Sequence, residues 1–277
     1  MTEIECLKEE VRSHWEQEPC GTRYGDNVTR REYFESISRK RDKLEPYIPD
    51  FAKFKRSRGL QVLEIGVGAG SDFHRWVANG AQATGIDLTQ SAIDLTGERL
   101  ELDGAEPDAY HLQVADAEHL PFEDNSFDVV YSWGVLHHSP NTDRCFQEAY
   151  RVLRPGGALR AMVYHVRSWG TLLLWTQHAL LKGKPSLSAK EVLSRHLESP
   201  GTKAYTLREA HRMIASIGFG DIQLGTKLGP GDLLEITPSG KYQHPMFQLV
   251  WKFYPRWFVR MLGHRFGFYL TIEATKP

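Results

Sequence analysis

The chain has 277 residues, room for one large domain or for one domain with an added cap. Its composition is that of a globular protein, 41% hydrophobic and 25% charged, and a formal net charge of -1 gives no global attraction to nucleic acid or to an anionic membrane. Cys6, Cys20 and Cys145 lie far apart without a CxxC pair, which argues against a disulfide framework or a zinc site and fits a reducing cytosol.

The opening MTEIECLKEEV is charged throughout and lacks the apolar core of a secretory signal. Ile4, Leu7, Val11 and Trp15 recur at helical spacing, so an amphipathic helix is expected until Pro19, Gly21 and Gly25 break it. Tyr33, Phe34, Ile37 and Leu44 mark a second helix that stops near Pro46 and Pro49. From about residue 60 strands and helices alternate. Strands are expected at 60–66, 82–88, 109–116, 127–133 and 158–165, with helices at 71–80, 89–104 and 141–154, the last closed by Pro155-Gly156-Gly157. Such alternation predicts a mostly parallel sheet covered by helices on both faces.

After His165 the alternation stops. Residues 166–204 hold an apolar helix, TLLLWTQHALL at 171–181, and a polar stretch. The helix is shorter than the ~18–20 residues that span a bilayer, so a cytoplasmic protein is expected. A helix at 206–219 and a strand at 221–228 resume the pattern, and a final strand is expected at 266–277. The domain reading is an N-terminal helical lid at 1–57, an α/β core at 58–165, a cap insertion at 166–204, a core helix and strand at 205–228, a second cap insertion at 229–264 and a last core strand at 265–277.

The stretch VLEIGVGAGSD, 62–72, carries the chemistry: a strand holding Glu64 breaks into Gly66, Gly68 and Gly70. Glycine lets another group approach the backbone, and a Gly-rich turn from strand to helix cradles a ligand at the strand's carboxyl end. A nicotinamide fingerprint, GxGxxG, competes with other nucleoside readings. Here the pattern is GxGxG with Ser71 in the next place, and Glu64 would repel a pyrophosphate while suiting a cationic ligand.

These residues resemble motif I of class I S-adenosylmethionine-dependent methyltransferases, in the type 11 branch that includes ubiquinone/menaquinone methyltransferases. GIDL ending in Asp87-Leu88, VADAEHLPFEDNSFDVVYSWGVLHH, and EAYRVLRPGG match that family's later motifs in order. The resemblance implies a Rossmann-like doubly wound sheet of seven strands, with S-adenosylmethionine as cofactor, S-adenosylhomocysteine as product and no metal. It implies cofactor contacts from Glu64, Gly66, Val67, Gly68, Gly70, Asp72, Asp87, Leu88, Asp116, Ala117, Glu118, Trp133, Gly134 and His138. Asp87 would take the ribose hydroxyls, Asp116 and Ala117 the adenine, and the glycines the amino acid end of the cofactor.

His137 or His138 would act as base, since adjacent residues of a helical turn point about 100° apart and one of them should face the methyl. Tyr164, His165, Trp15, Tyr24, Tyr33 and Phe34 are the expected substrate-pocket residues. The expected reaction is methyl transfer to an oxygen or nitrogen of an apolar or aromatic small molecule; carbon methylation of a quinol or lipid-like acceptor is the alternative. A nicotinamide-dependent oxidoreductase and a non-catalytic binding protein are more distant readings. Residues 236–272 contain no Asp or Glu but hold Lys241, Lys252, Arg256, Arg260 and Arg265 among ten aromatic residues. An ordinary lid is favoured there over a membrane-facing surface. No nucleic-acid partner is expected, and the oligomeric state stays open.

Overall fold

The computed structural model describes residues 3–22, 25, 29–235 and 254–277. Eight strands form one sheet: β1 Gln61–Ile65, β2 Gln82–Asp87, β3 Tyr110–Val114, β4 Phe127–Trp133, β5 Leu153–His165, β6 Ala204–Tyr205, β7 Gly220–Lys227 and β8 Tyr269–Thr275. The order is β3-β2-β1-β4-β5-β8-β7, with β6 paired to the end of β5. Strands β1 to β5 run parallel, and β8 is antiparallel to both of its neighbours. The chain steps outward from β1 to β3 and then returns to β4 on the other side of β1. Loops leaving the two sides therefore diverge at the carboxyl ends of β1 and β4, which opens a crevice there.

The helices are α1 Glu3–Gln17, α2 Arg30–Leu44, α3 Ile48–Ala52, α4 Phe73–Ala78, α5 Gln90–Asp103, α6 Thr142–Val152, α7 Trp169–His178, α8 Ala189–His196, α9 Leu207–Ile217 and α10 Arg256–Leu262. Capping boxes start three of them: Thr29 with Glu32, Ser188 with Glu191, and Thr206 with Glu209. Each satisfies N–H groups that the first helical turn leaves unpaired. Successive residues of a strand point to opposite faces, and both faces of the central strands are covered. Leu63, Ile65 and Val130 pack with Phe146 and Ala149 of α6 and Ile214 of α9. Val62, Val129 and Tyr131 pack on the other face with Phe73 and Trp76 of α4 and Leu100 of α5.

Four details differ from the sequence reading. The sheet has eight strands, because the short β6 adds a parallel pair at Tyr164↔Ala204 and His165↔Tyr205. Pro155-Gly156-Gly157 does not separate helix from strand. It lies within β5, where Gly156 adopts φ 80 and the backbone is bonded to Lys276 through Gly156 N–H and Gly157 C=O. The polar stretch after α7 holds α8, and α3 fills the expected break around Pro49. Among the described residues no helix is long and apolar enough to cross a membrane.

Candidate active site

The loop after β1 needs its glycines for reasons internal to the chain. Gly66, Gly68 and Gly70 have φ of 86, 53 and 68, the left-handed region that side chains disfavour. A Cβ on Gly66 would lie 2.2 Å from the Val135 side chain, and one on Gly68 would lie 2.9 Å from the Cys20 carbonyl. One on Gly70 would press on Thr96 and Arg99. Other parts of the chain thus crowd the position a Cβ would take at each glycine. The loop is fixed by Gly66 N–H and Val67 N–H donating to Ile86 C=O, and by Ala69 N–H donating to Cys20 C=O.

A cleft opens at the carboxyl ends of β1 to β4. Its walls include Gly66, Gly68, Asp87, Leu88, Asp116, Ala117, Glu118, Gly134 and His138, all expected from the sequence. Asp87 accepts from Thr89 Oγ1 at 2.8 Å, Thr89 N–H at 3.1 Å and Gly68 N–H at 3.2 Å. Burial nonetheless raises its carboxyl above the ordinary value against these donors. Asp116 and Glu118 both receive the Lys8 ammonium of α1, at 2.7 and 2.6 Å. Burial would lower the Lys8 value, but the two carboxylates outweigh it and hold the ammonium charged. Asp116, Glu118 and His119 could together offer donor atoms to a cation, and the Lys8 ammonium lies against two of them.

Several expected cofactor residues lie behind this wall. Glu64 accepts from Trp76 Nε1 at 2.8 Å, and burial, with Asp72 nearby, pushes its carboxyl well above the usual range. Asp72 is gripped by Arg41 of α2 at 2.6 and 3.3 Å and accepts from Tyr131 Oη at 2.7 Å. Burial would raise Asp72, but Arg41 holds it below the ordinary value. Trp133 donates to Glu45 at 3.3 Å, and Glu45 also meets Arg41 at 3.2 Å. This buried network fastens α2 to the back of the loop. Val67 and Gly70 belong to the loop's packed side with Ile86, Thr96 and Arg99.

The two histidines diverge. His138, at the end of the turn Leu136–His138, lies on the cleft wall with its ring 5.2 Å from Trp15. His137 is fully buried, its ring tilted against that of Tyr164 at 4.0 Å, and burial lowers its imidazole well below the ordinary value. Tyr164 donates its phenol to Glu198 at 2.6 Å. His165 Nδ1 pairs with Gly267 C=O at 3.1 Å and serves the joint between β5 and β8. Trp15 lines the cleft; Phe34 instead packs with Ile37 and Ala69, and Tyr33 lies beside it under Arg30. Tyr24 lies outside the described residues.

Lys8 on the cleft wall and a group of residues around His138 escaped the sequence reading. Lys8 shares the spacing of Val11 and Trp15, three and seven residues on, and all three line the cleft. Glu198, Ser199 and Thr202 come from ESPGT in the 166–204 stretch and surround the His138 ring.

Residues 63–161 match the family model of the methyltransferase domain. Methyltransferase GfsG of Streptomyces halstedii is 36% identical over 118 residues, 42% of this chain and 41% of that protein. Phthiotriol/phenolphthiotriol dimycocerosates methyltransferase 1 of Mycobacterium ulcerans is 33% identical over 176 residues, 61% of this chain and 62% of that protein. Less than two thirds of either relative's length is thus covered. The solved structure of Haemonchus contortus phosphoethanolamine N-methyltransferase 2, in complex with phosphomonomethylethanolamine and S-adenosylhomocysteine, has a TM-score of 0.61 at 21% identity, covering 96% of this chain and 60% of that chain. That likeness is one of fold. Residues 63–161 are thus similar to the methyltransferase-domain family, and the chain has the fold of class I S-adenosylmethionine-dependent methyltransferases.

Proposed function

We propose that the chain is an enzyme that transfers a methyl group from S-adenosylmethionine to an oxygen or nitrogen of a small molecule. The observation that carries this reading is the convergence of four strand-end loops on one cleft, with Asp87, Asp116 and His138 on its walls. The donor set fits a nucleoside sulfonium. Carboxylates at the ends of β2 and β3 suit hydroxyl and amino donors, and Leu88, Ala115 and Val135 offer apolar sides to a base. Asp87, Asp116 and Glu118 line the cleft with one ammonium, that of Lys8, which meets the last two; the surplus of carboxylates favours a cationic ligand.

When bound, S-adenosylmethionine supplies an electrophilic methyl. The chain's own part is alignment and exclusion of water, for which Trp15 and the other α1 residues form a wall over the strand ends. His138 brings an imidazole to that wall, the group type best suited to take a proton near neutral pH. Titration calorimetry with S-adenosylhomocysteine tests the proposal, and folded protein with no measurable affinity would overturn it.

A second reading, carbon methylation of a lipid-like acceptor, draws on a different observation. Trp257 and Met261 of α10, a helix that also carries Arg256 and Arg260, are 70% and 64% exposed, and Leu181 after α7 is 71% exposed. The Mycobacterium ulcerans relative is named for a dimycocerosate substrate. Co-sedimentation with anionic liposomes would support this reading, and its failure would count against a membrane-borne acceptor. Residues 236–253 of the basic aromatic segment lie outside the described residues.

A further inference from the structure

Two stretches of the sequence carry positive charge alone. Residues 166–190 hold Arg167, Lys182, Lys184 and Lys190 without an Asp or Glu, and residues 236–272 are likewise free of acids. The whole chain has a formal net charge of -1, so its charge is sorted by region rather than in excess.

The fold joins the first stretch to the described part of the second, 254–272. Trp169 at the start of α7 meets Phe258 of α10 at 6.5 Å and Phe266 at 6.3 Å between ring centres, and Trp257 continues the row 5.8 Å from Phe258. Trp169 and Tyr254 also pack against the buried cluster of Leu228, Leu233 and Val259. α7 follows the carboxyl end of β5, and α10 precedes β8, whose Tyr269 pairs with Tyr164 near that end. Because β5 runs parallel to β4, both helices stand at the end of the sheet where the cleft opens.

This packing leaves much of the apolar surface uncovered. Of the ten large apolar side chains exposed among the described residues, seven belong to these two stretches. Leu172, Leu180 and Leu181 come from α7 and the turn after it; Trp257, Phe258, Met261 and Phe266 come from α10 and its end. An ordinary lid, favoured by the sequence reading, would turn its aromatics inward. Here α10 turns Val259 in, while Trp257 and Met261, four residues apart, share an outward side. Arg167, Lys182, Lys184, Arg260 and Arg265 are exposed with them, and Arg260 is paired with Glu235.

Scattered apolar side chains in water are ordinary, but a concentration of them marks a contact surface. Aromatic and aliphatic groups set among cations suit a lipid interface: the first enter the acyl boundary, and the second reach anionic headgroups. A second copy of the chain fits less well, because a two-fold contact would set like charges against each other. We propose that α7, the turn after it and α10 form a docking face for an anionic lipid surface, which the protein meets with the cleft end of its sheet. The contact is peripheral. The proposal goes beyond the methyl-transfer reading, since these side chains lie outside the cleft and their binding of lipid needs no cofactor.

The test is sedimentation of the full chain with vesicles of phosphatidylglycerol and phosphatidylcholine, and with vesicles of phosphatidylcholine alone. The chain should sediment with the first and much less with the second, and added salt should release it. Trp257→Ser with Met261→Ser, and separately Lys182→Glu with Lys184→Glu, should each lower the partition coefficient by about tenfold or more. Both pairs should melt at the wild-type temperature, because all four side chains are exposed. Absent partition, or partition that survives either pair of substitutions, overturns the proposal. So does a dimer in solution that Trp257→Ser with Met261→Ser dissolves while vesicles capture nothing. Should the apolar pair fail to fold, the lysine pair supplies the comparison. Calorimetry with S-adenosylhomocysteine on the same protein keeps the two readings apart: lipid binding without nucleoside binding leaves the docking face standing and removes the cofactor.

Discussion

Arg41 of α2 closes a two-pronged bond on Asp72, 31 positions later at the turn into α4, with nitrogen–oxygen distances of 2.6 and 3.3 Å. The Asp72 side chain is buried, 3% exposed, and that of Arg41 mostly so, 15% exposed. Replacing Arg41 with leucine would strand the Asp72 carboxylate beside Tyr131. Breaking a buried pair from one side costs about 3–5 kcal/mol, so Arg41→Leu should lower the urea midpoint accordingly. Arg41→Lys should recover only part of it, because an ammonium lacks the planar fork. Arg41→Leu combined with Asp72→Asn should be less destabilised than Arg41→Leu alone.

Asp87 joins the loops after β1 and β2 and faces the cleft. Asp87→Ala should weaken S-adenosylhomocysteine binding by about 2–4 kcal/mol through the loss of charge-assisted hydrogen bonds, roughly 30- to 900-fold in the dissociation constant. Calorimetry reads the affinity, and a thermal melt of the same sample separates it from loosening of the loop. An unchanged dissociation constant would remove Asp87 from the ligand's contacts.

Gly68→Ala sets a methyl against the Cys20 carbonyl and forces a side chain into φ 53. The left-handed conformation alone costs about 1–2 kcal/mol. The segment from Pro19 to Gly21 should then lift from the loop. Hydrogen exchange should report it as lost protection of the Ala69 amide, which donates to Cys20.

Asp232 is a fully buried carboxylate that accepts N–H bonds from Gly170 at 2.7 Å, Gly229 at 2.9 Å and Phe268 at 2.7 Å. Burial outweighs these donors and pushes its value from 3.8 to about 6. The folded state therefore binds this proton more tightly than the unfolded chain. The contribution is fully present below 3.8 and disappears as pH rises through about 6, an amount of about 3 kcal/mol from one shifted group. Urea titrations between pH 4 and pH 7 should show this decline in wild type, and Asp232→Asn should flatten it.

Strands announced themselves where short apolar runs sat between turn signals, as burial on both faces requires. FDVVYSW is β4 residue for residue, and QVLEI and QATGID sit inside the expected runs. The ends of those strands were legible for the same reason, so Asp87, Asp116 and His138 emerged in their places. Long-range contacts left no such trace. Glu198 reaches His138 across the whole of β5, α7 and α8, and Lys8 meets Asp116 from 108 residues away. Nor could spacing show the partners these carboxylates have in the fold: Glu64 accepts from Trp76 and Asp72 from Tyr131.

The position of β8 bears on how the chain is made. It comes after β7 in synthesis yet lies between β5 and β7 in the sheet. Until it leaves the ribosome, β5 has an open edge along the residues it pairs with β8, and β7 has no neighbour to join it to the sheet. The nascent protein thus carries unpaired strand borders until β8 has been made, the interval in which chaperone binding or intermolecular pairing competes most directly with its own closure.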